Sequence, residues 1–259
     1  MQRRDFLLTS AAAALTVEAA ATTASAQSAS GDRDYYEWRT YRLADAAHQA
    51  LVHEYLEKAC FPAWQRLGVS PVGAFTEIGP DAGPSIHVLL TYPSLALFAS
   101  SREALEHDSQ YQQAATNYLT AKMASPAFER IESSLLVACT GAPKITPPAH
   151  KPRVFEMRTY DSHSEERARK KVDMFNSGEI PIFPKCGFEN VFFGESLVGP
   201  ALPNLKYMLA APDMAANEAG WKKFLADPGF TALKNDPQYA DTVSKITKLF
   251  LAPTPYSQV

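Results

Sequence analysis

Two short stretches of the chain carry acid, base and phenol on alternate residues. Glu37, Arg39 and Tyr41 are spaced i, i+2, i+4, and Glu156, Arg158 and Tyr160 repeat the pattern. In an extended strand such residues share one face. A guanidinium there can receive the acidic group of a small molecule, because its planar fork of N–H donors matches a carboxylate. The same residues admit a plainer arrangement, in which Glu and Arg pair with each other and only hold the sheet. His87 is a candidate general base or haem ligand, since imidazole titrates near neutral pH. Lys206 stands at the matching place in the second half of the chain. His48, His53, His107, His150 and His163 fall on helices, turns or linker and read as solvated.

Other chemistries find little support. His53-Glu54-Tyr55-Leu56-Glu57 lacks the second imidazole of a zinc-protease helix. Gly194-Glu195-Ser196-Leu197-Val198-Gly199 is one residue too long for a nucleophile elbow. There is no phosphate loop, dinucleotide fingerprint or Cys-x-x-Cys. A net charge of −3, from 25 Lys+Arg against 28 Asp+Glu, gives no bias toward nucleic acid. Cys60, Cys139 and Cys186 allow one disulfide at most, and small buried apolar residues are the expected reading. The basic run Arg167–Lys171 sits beside Glu165 and Glu166 and reads as a solvated helix face. Trp64 and Trp221 read as core packing.

The elements that position these residues come in two copies. Tyr36-Glu37-Trp38-Arg39-Thr40-Tyr41 returns as Phe155-Glu156-Met157-Arg158-Thr159-Tyr160, an offset of 119. The same offset relates Leu67-Gly68 to Cys186-Gly187 and Asp108 to Asp227, then slips to 115 near the end, where Ile131 matches Ile246. Such self-similarity marks a duplicated unit. The first copy spans 35–139 and the second 154–252. The Pro-rich segment 140–153 between them reads as a stiff exposed linker. Periodicity places strands at 35–41, 72–77, 86–92 and 131–138, and helices at 45–66 and from Leu95 to about Met123. The second copy follows with strands at 154–160, 188–195 and 204–210, helices at 164–178 and 213–226, and a last helix and strand by Leu251. Ser162 and Glu165 have the spacing of a capping box before its first helix.

Each copy therefore reads β-α-β-β-α-β, a ferredoxin-like unit of α+β class. Helices cover one face of such a sheet, and the other face needs a partner. The two copies can shelter each other by closing into one barrel within the chain. Tyr36, Trp38 and Thr40, with Phe155, Met157 and Thr159, are then expected to pack on the helices. Glu37, Arg39, Tyr41, Glu156, Arg158 and Tyr160 are expected to face the lumen with His87 and Lys206. A lumen so lined suits a small polar or anionic ligand. A cavity of about 300 Å³ or more touching His87 would favour this reading. A lumen plugged by aromatics would favour a non-catalytic interaction module instead.

The Glu-x-Arg-Thr-Tyr strand, Gly187, Gly199 and Trp221 followed by Asp227-Pro228 resemble the NIPSNAP family. The first copy departs from that pattern, with Arg102 in place of Trp221 and Ser109 after Asp108. The resemblance implies the dimeric α/β-barrel superfamily, here as a tandem pseudo-dimer. That superfamily includes cofactor-free oxygenases acting on aromatic polyketides, haem-handling enzymes and proteins without known activity. If the chain is an enzyme, the residues lead us to expect oxygenase or lyase-type proton abstraction, with His87 as base and Arg39 and Arg158 as anion anchors. No metal and no organic cofactor are expected, haem being the alternative. Residues 1–26 resemble a twin-arginine export signal, with Arg3-Arg4, Phe6-Leu7 and a small-x-small site at Ala24-Ser25-Ala26. The expected product is an exported protein with no membrane span, binding a small molecule and no nucleic acid, with a homo-oligomer allowed.

Overall fold

The structure, a computed structural model, describes residues 33–149 and 153–259. Residues 1–26, expected to be an export signal, lie outside the described residues. The first repeat runs β1 (Tyr35–Arg42), α1 (Ala46–Tyr55), α2 (Phe61–Leu67), β2 (Val72–Glu77), β3 (Ile86–Tyr92), α3 (Leu95–Glu106), α4 (Ser109–Ala114), α5 (Thr116–Leu119) and β4 (Arg130–Ala138). The second runs β5 (Val154–Asp161), α6 (Glu165–Met174), α7 (Ile182–Lys185), β6 (Glu189–Val198), β7 (Asn204–Ala211), α8 (Met214–Ala226), α9 (Pro228–Asn235) and β8 (Lys245–Pro253). None of the helices in the described residues is long and apolar enough to cross a membrane.

The eight strands close one barrel in the order β1-β3-β2-β8-β5-β7-β6-β4, every neighbour antiparallel. The repeats are stitched together twice, by β2 against β8 and by β4 against β6. Closure satisfies the edge strands that each repeat alone would leave open. Segment 140–149 is tied to both repeats rather than free. Asp34 donates its backbone N–H to the Pro143 carbonyl at 2.9 Å, and Thr146 donates to Val191 at 2.9 Å.

Local chemistry shapes the helical layer. The stretch expected as one helix from Leu95 breaks into α3, α4 and α5, because Asp108 turns to cap α4 and accepts from the Tyr111 N–H at 3.0 Å. The cap of α6 is Ser164, not Ser162. Ser164 accepts from Arg167 N–H, while Ser162 is buried and donates to the Thr242 carbonyl at 2.6 Å. In each repeat the first helix ends in one turn of π-helix, at Leu56–Cys60 and Phe175–Glu179, again 119 apart. Gly68 and Gly187 close the helices that follow with φ of 79° and 100°, a region closed to most side chains.

The faces of β1 and β5 are the reverse of the expected ones. Tyr36, Trp38, Phe155 and Met157 point into the barrel and pack with Phe75, Leu89, Phe192, Met208 and Leu251. Glu37, Arg39 and Tyr41, with their counterparts Glu156, Arg158 and Tyr160, lie outside the barrel beneath the helices. Pairing explains it: Arg39 sits opposite Val88, on the helix-covered side, and Trp38 sits opposite Leu89, on the inner side. A closed barrel has an apolar interior of its own to fill. The large side chains of both repeats meet there, and the lumen is plugged by aromatics. His87 and Lys206 do face inward, as expected. The three cysteines are buried and free.

Candidate functional site

The residues expected to share one lumen are distributed over three places. Beneath the helices of the first repeat lies a cavity of about 910 Å³, floored by Glu37, Arg39 and Tyr41 and walled by Tyr55, Trp64 and Tyr118. Arg39 grips Glu37 side-on, Nε to Oε1 and Nη2 to Oε2, both 2.9 Å. Ser133 and Tyr92 donate to the same carboxylate at 2.7 and 3.2 Å. Burial alone would push the Glu37 carboxyl up, but the Arg39 guanidinium overrides it and holds the group below the ordinary carboxylate range. Arg39 Nη1 donates to the Tyr41 hydroxyl at 3.3 Å. A guanidinium has five N–H donors, so two remain for whatever occupies the cavity.

The second repeat builds the same floor from different supports. Its cavity of about 720 Å³ contains Glu156, Arg158 and Tyr160. Arg158 Nε donates to Glu156 at 2.6 Å, and its guanidinium lies 3.4 Å over the Trp221 ring. Trp221 and Asn217 on α8 donate to the other Glu156 oxygen at 2.5 and 2.9 Å. Trp221 is thus a polar support as well as packing. The Tyr160 hydroxyl accepts from Arg158 and from Tyr207 at 3.3 and 2.8 Å. The π turn places Glu179 in the same cavity, where Lys171 donates to it at 2.7 Å. Lys171 is therefore buried, a correction to the solvated helix face expected for the basic run. Burial pushes the Glu179 carboxyl up, and Lys171 offsets this only in part. The first repeat has Val52 and Cys60 at these positions, so the acid–base pair belongs to the second copy alone.

The third place is one mouth of the barrel, a cup of about 250 Å³ lined by Thr40, Glu77, His87, Thr159 and Lys206. His87 Nδ1 lies 3.0 Å from the Thr40 hydroxyl and Nε2 lies 2.9 Å from Glu77. The ring stacks on Trp38 at 5.4 Å. His87 thus shares no site with Arg39 or Arg158, and a reaction using all three together is excluded by the fold. The cup is smaller than the cavity expected around His87.

Haem was the cofactor alternative. Neither large cavity presents an imidazole or thiolate among its lining residues, and both nitrogens of His87 are engaged. These residues do not fit a histidine-held haem, and no step is routed through one.

Ser133, Tyr92, Asn217, Glu77 and the Lys171–Glu179 pair were not singled out by sequence reasoning. The one visible signal was the mismatch of Trp221 with Arg102 between otherwise matching copies.

Among solved structures the chain resembles a presumed monooxygenase of Lactobacillus acidophilus NCFM, with TM-score 0.58, 9% identity, and 85% of this chain and 94% of that one covered. A presumed monooxygenase of Fusobacterium nucleatum subsp. nucleatum ATCC 25586 gives TM-score 0.55, 10% identity, and coverage of 86% and 93%. An anthrone oxidase-like protein gives 0.53, 10%, 86% and 92%. At these identities the likeness is one of fold. No curated protein matches. The NIPSNAP family profile matches twice, over residues 36–139 and 155–258, the two halves that the barrel joins. With both repeats matched and the eight strands closed into one barrel, the chain belongs to the NIPSNAP family as a tandem two-copy member with the dimeric α/β-barrel fold.

Proposed function

We propose that this chain is an exported protein that binds small polar or anionic molecules with aromatic bodies, in the cavities beneath its helices rather than inside the barrel. The observation that carries this reading is the duplication of the floor. Two cavities large enough for a small-molecule ligand each present one Glu-oriented guanidinium among aromatic walls. Glu37 and Glu156 hold the arginines in place, and the remaining N–H donors meet the ligand's acidic or carbonyl oxygen.

The second cavity supports chemistry as well as binding. A phenolic or enolisable substrate held by Arg158 would give its proton to Glu179, a base raised by burial. Dioxygen would be the oxidant of the resulting anion, in keeping with the monooxygenase and anthrone oxidase-like proteins of the same fold. The aromatic plug of the lumen favours the second reading, a non-catalytic module, only for the barrel interior.

The test uses tryptophan emission, because Trp64 and Trp221 each line one cavity. Titration with salicylate and with polyphenols should quench both. Arg39→Gln should abolish the Trp64 response and Arg158→Gln the Trp221 response. An oxygen electrode reports turnover. Equal quenching by every probe in the double variant would sink the reading.

A further inference from the structure

We infer that the barrel mouth is a second reactive site, in which Lys206 condenses with a small carbonyl compound to form an imine. The site is separate from the two arginine-floored cavities and stands without them.

Lys206 is 8% exposed and its amine donates to one partner, the Thr159 hydroxyl at 3.2 Å. No carboxylate pairs with it among the described residues. An ammonium has three donors and is costly to bury without a counter-charge. Burial favours its neutral form and lowers its pKa, against a smaller opposing pull from Asp161 on β5. The other charged groups of the cup do not neutralise it. Glu77 is taken by His87, Arg42 pairs with Glu132, and Lys248 is a like charge. A desolvated amine opening into a cavity is a nucleophile at neutral pH.

The opposite wall supplies the proton transfers. Glu77, His87 and Thr40 form a continuous carboxylate–imidazole–hydroxyl chain, with Thr40 lining the cup. His87 and Lys206 are matched by the 119-residue offset, so the internal repeat sets base and nucleophile on corresponding strands of the two copies, β3 and β7, which do not pair with each other. In the reaction the Lys206 nitrogen bonds the carbonyl carbon as the C=O π bond breaks. One N–H proton moves to that oxygen, giving a carbinolamine. The oxygen then leaves as water with the second N–H proton, and the C=N bond remains. No oxidant or reductant enters. The proton carrier is the Thr40–His87–Glu77 chain. A cup of about 250 Å³ admits only a short aldehyde or ketone.

The experiment treats the full chain with propanal and sodium cyanoborohydride at pH 7 and maps alkylated lysines by peptide mass spectrometry. Lys58, whose side chain is 64% exposed, is the internal reference. An amine that sheds its proton more readily offers more nucleophile at this pH, so Lys206 should be modified severalfold faster than Lys58. His87→Gln and Glu77→Gln should each slow Lys206 severalfold and leave Lys58 unchanged. Modification of Lys206 no faster than Lys58 overturns the site in the native protein, whatever the variants do. Selective modification that ignores both substitutions overturns the relay. Cavity-directed binding at Arg39 and Arg158 is read separately, by tryptophan quenching.

Discussion

Glu37 and Glu156 show how one residue role survives a change of partners. Each orients an arginine two residues along its strand, yet Ser133 and Tyr92 support the first and Asn217 and Trp221 the second. The Glu37 carboxyl titrates lower in the folded chain than in the unfolded one. The unfolded chain therefore binds more protons, and this part of the stability is present above about pH 4.3 and lost as pH falls through the folded value. Urea unfolding between pH 3 and 7 should show a flatter acid limb in Glu37→Gln. Lys206 works in the opposite range. Its folded pKa is lowered, so stability rises with pH from that value up to about 10.4, where the unfolded amine has also lost its proton. Lys206→Met should be at least as stable as the parent at pH 7 and should lose that rise, read by the same unfolding curves from pH 7 to 10. Breaking the buried pair instead, with Glu179→Leu, strands the Lys171 ammonium and should cost about 3–5 kcal/mol.

Among the elements, the π turns carry the difference between the repeats. They occur at matched positions, but only the second turns a side chain, Glu179, toward a cavity. The turn at Phe175–Glu179 delivers a carboxylate. The turn at Leu56–Cys60 carries a fully buried thiol at the matching place, outside the lining of the first cavity, and burial pushes it up to about 12, leaving it inert as a nucleophile at neutral pH. The first cavity is thus expected to bind without reacting. Gly187 follows α7 at a positive φ, two residues before β6 begins. Gly187→Ala should cost about 1–2 kcal/mol by urea unfolding, and Gly68→Ala a similar amount, because both positions demand the left-handed region.

At the scale of the molecule, the two repeats share one interior. Phe75 of the first and Phe155 of the second meet at 5.0 Å inside the barrel. Neither sheet can keep its inner face dry alone, so the halves should unfold together. Single-tryptophan variants that retain Trp64 or Trp221 should give coincident thermal transitions, and two separated midpoints would contradict a common core. Phe155→Ala should lower the stability seen by both reporters by about 3–5 kcal/mol, although its residue belongs to one repeat.

The duplication, the element order and the closure of two ferredoxin-like units were legible in the chain itself, because the 119-residue offset, the strand and helix periodicities and the turn glycines are local patterns. Period two also showed that Glu37, Arg39 and Tyr41 share a face. It could not say which face, since both sides of β1 are mixed and the decision rests on pairing with β3, β4 and the far repeat. Only the closed barrel settled it. A lumen bounded by eight strands excludes water on every side, so it took Tyr36, Trp38, Phe155 and Met157 and left the charged triplets to the helix side. There the helices stand far enough from the sheet to leave cavities, and carboxylate pairing makes buried arginines tolerable.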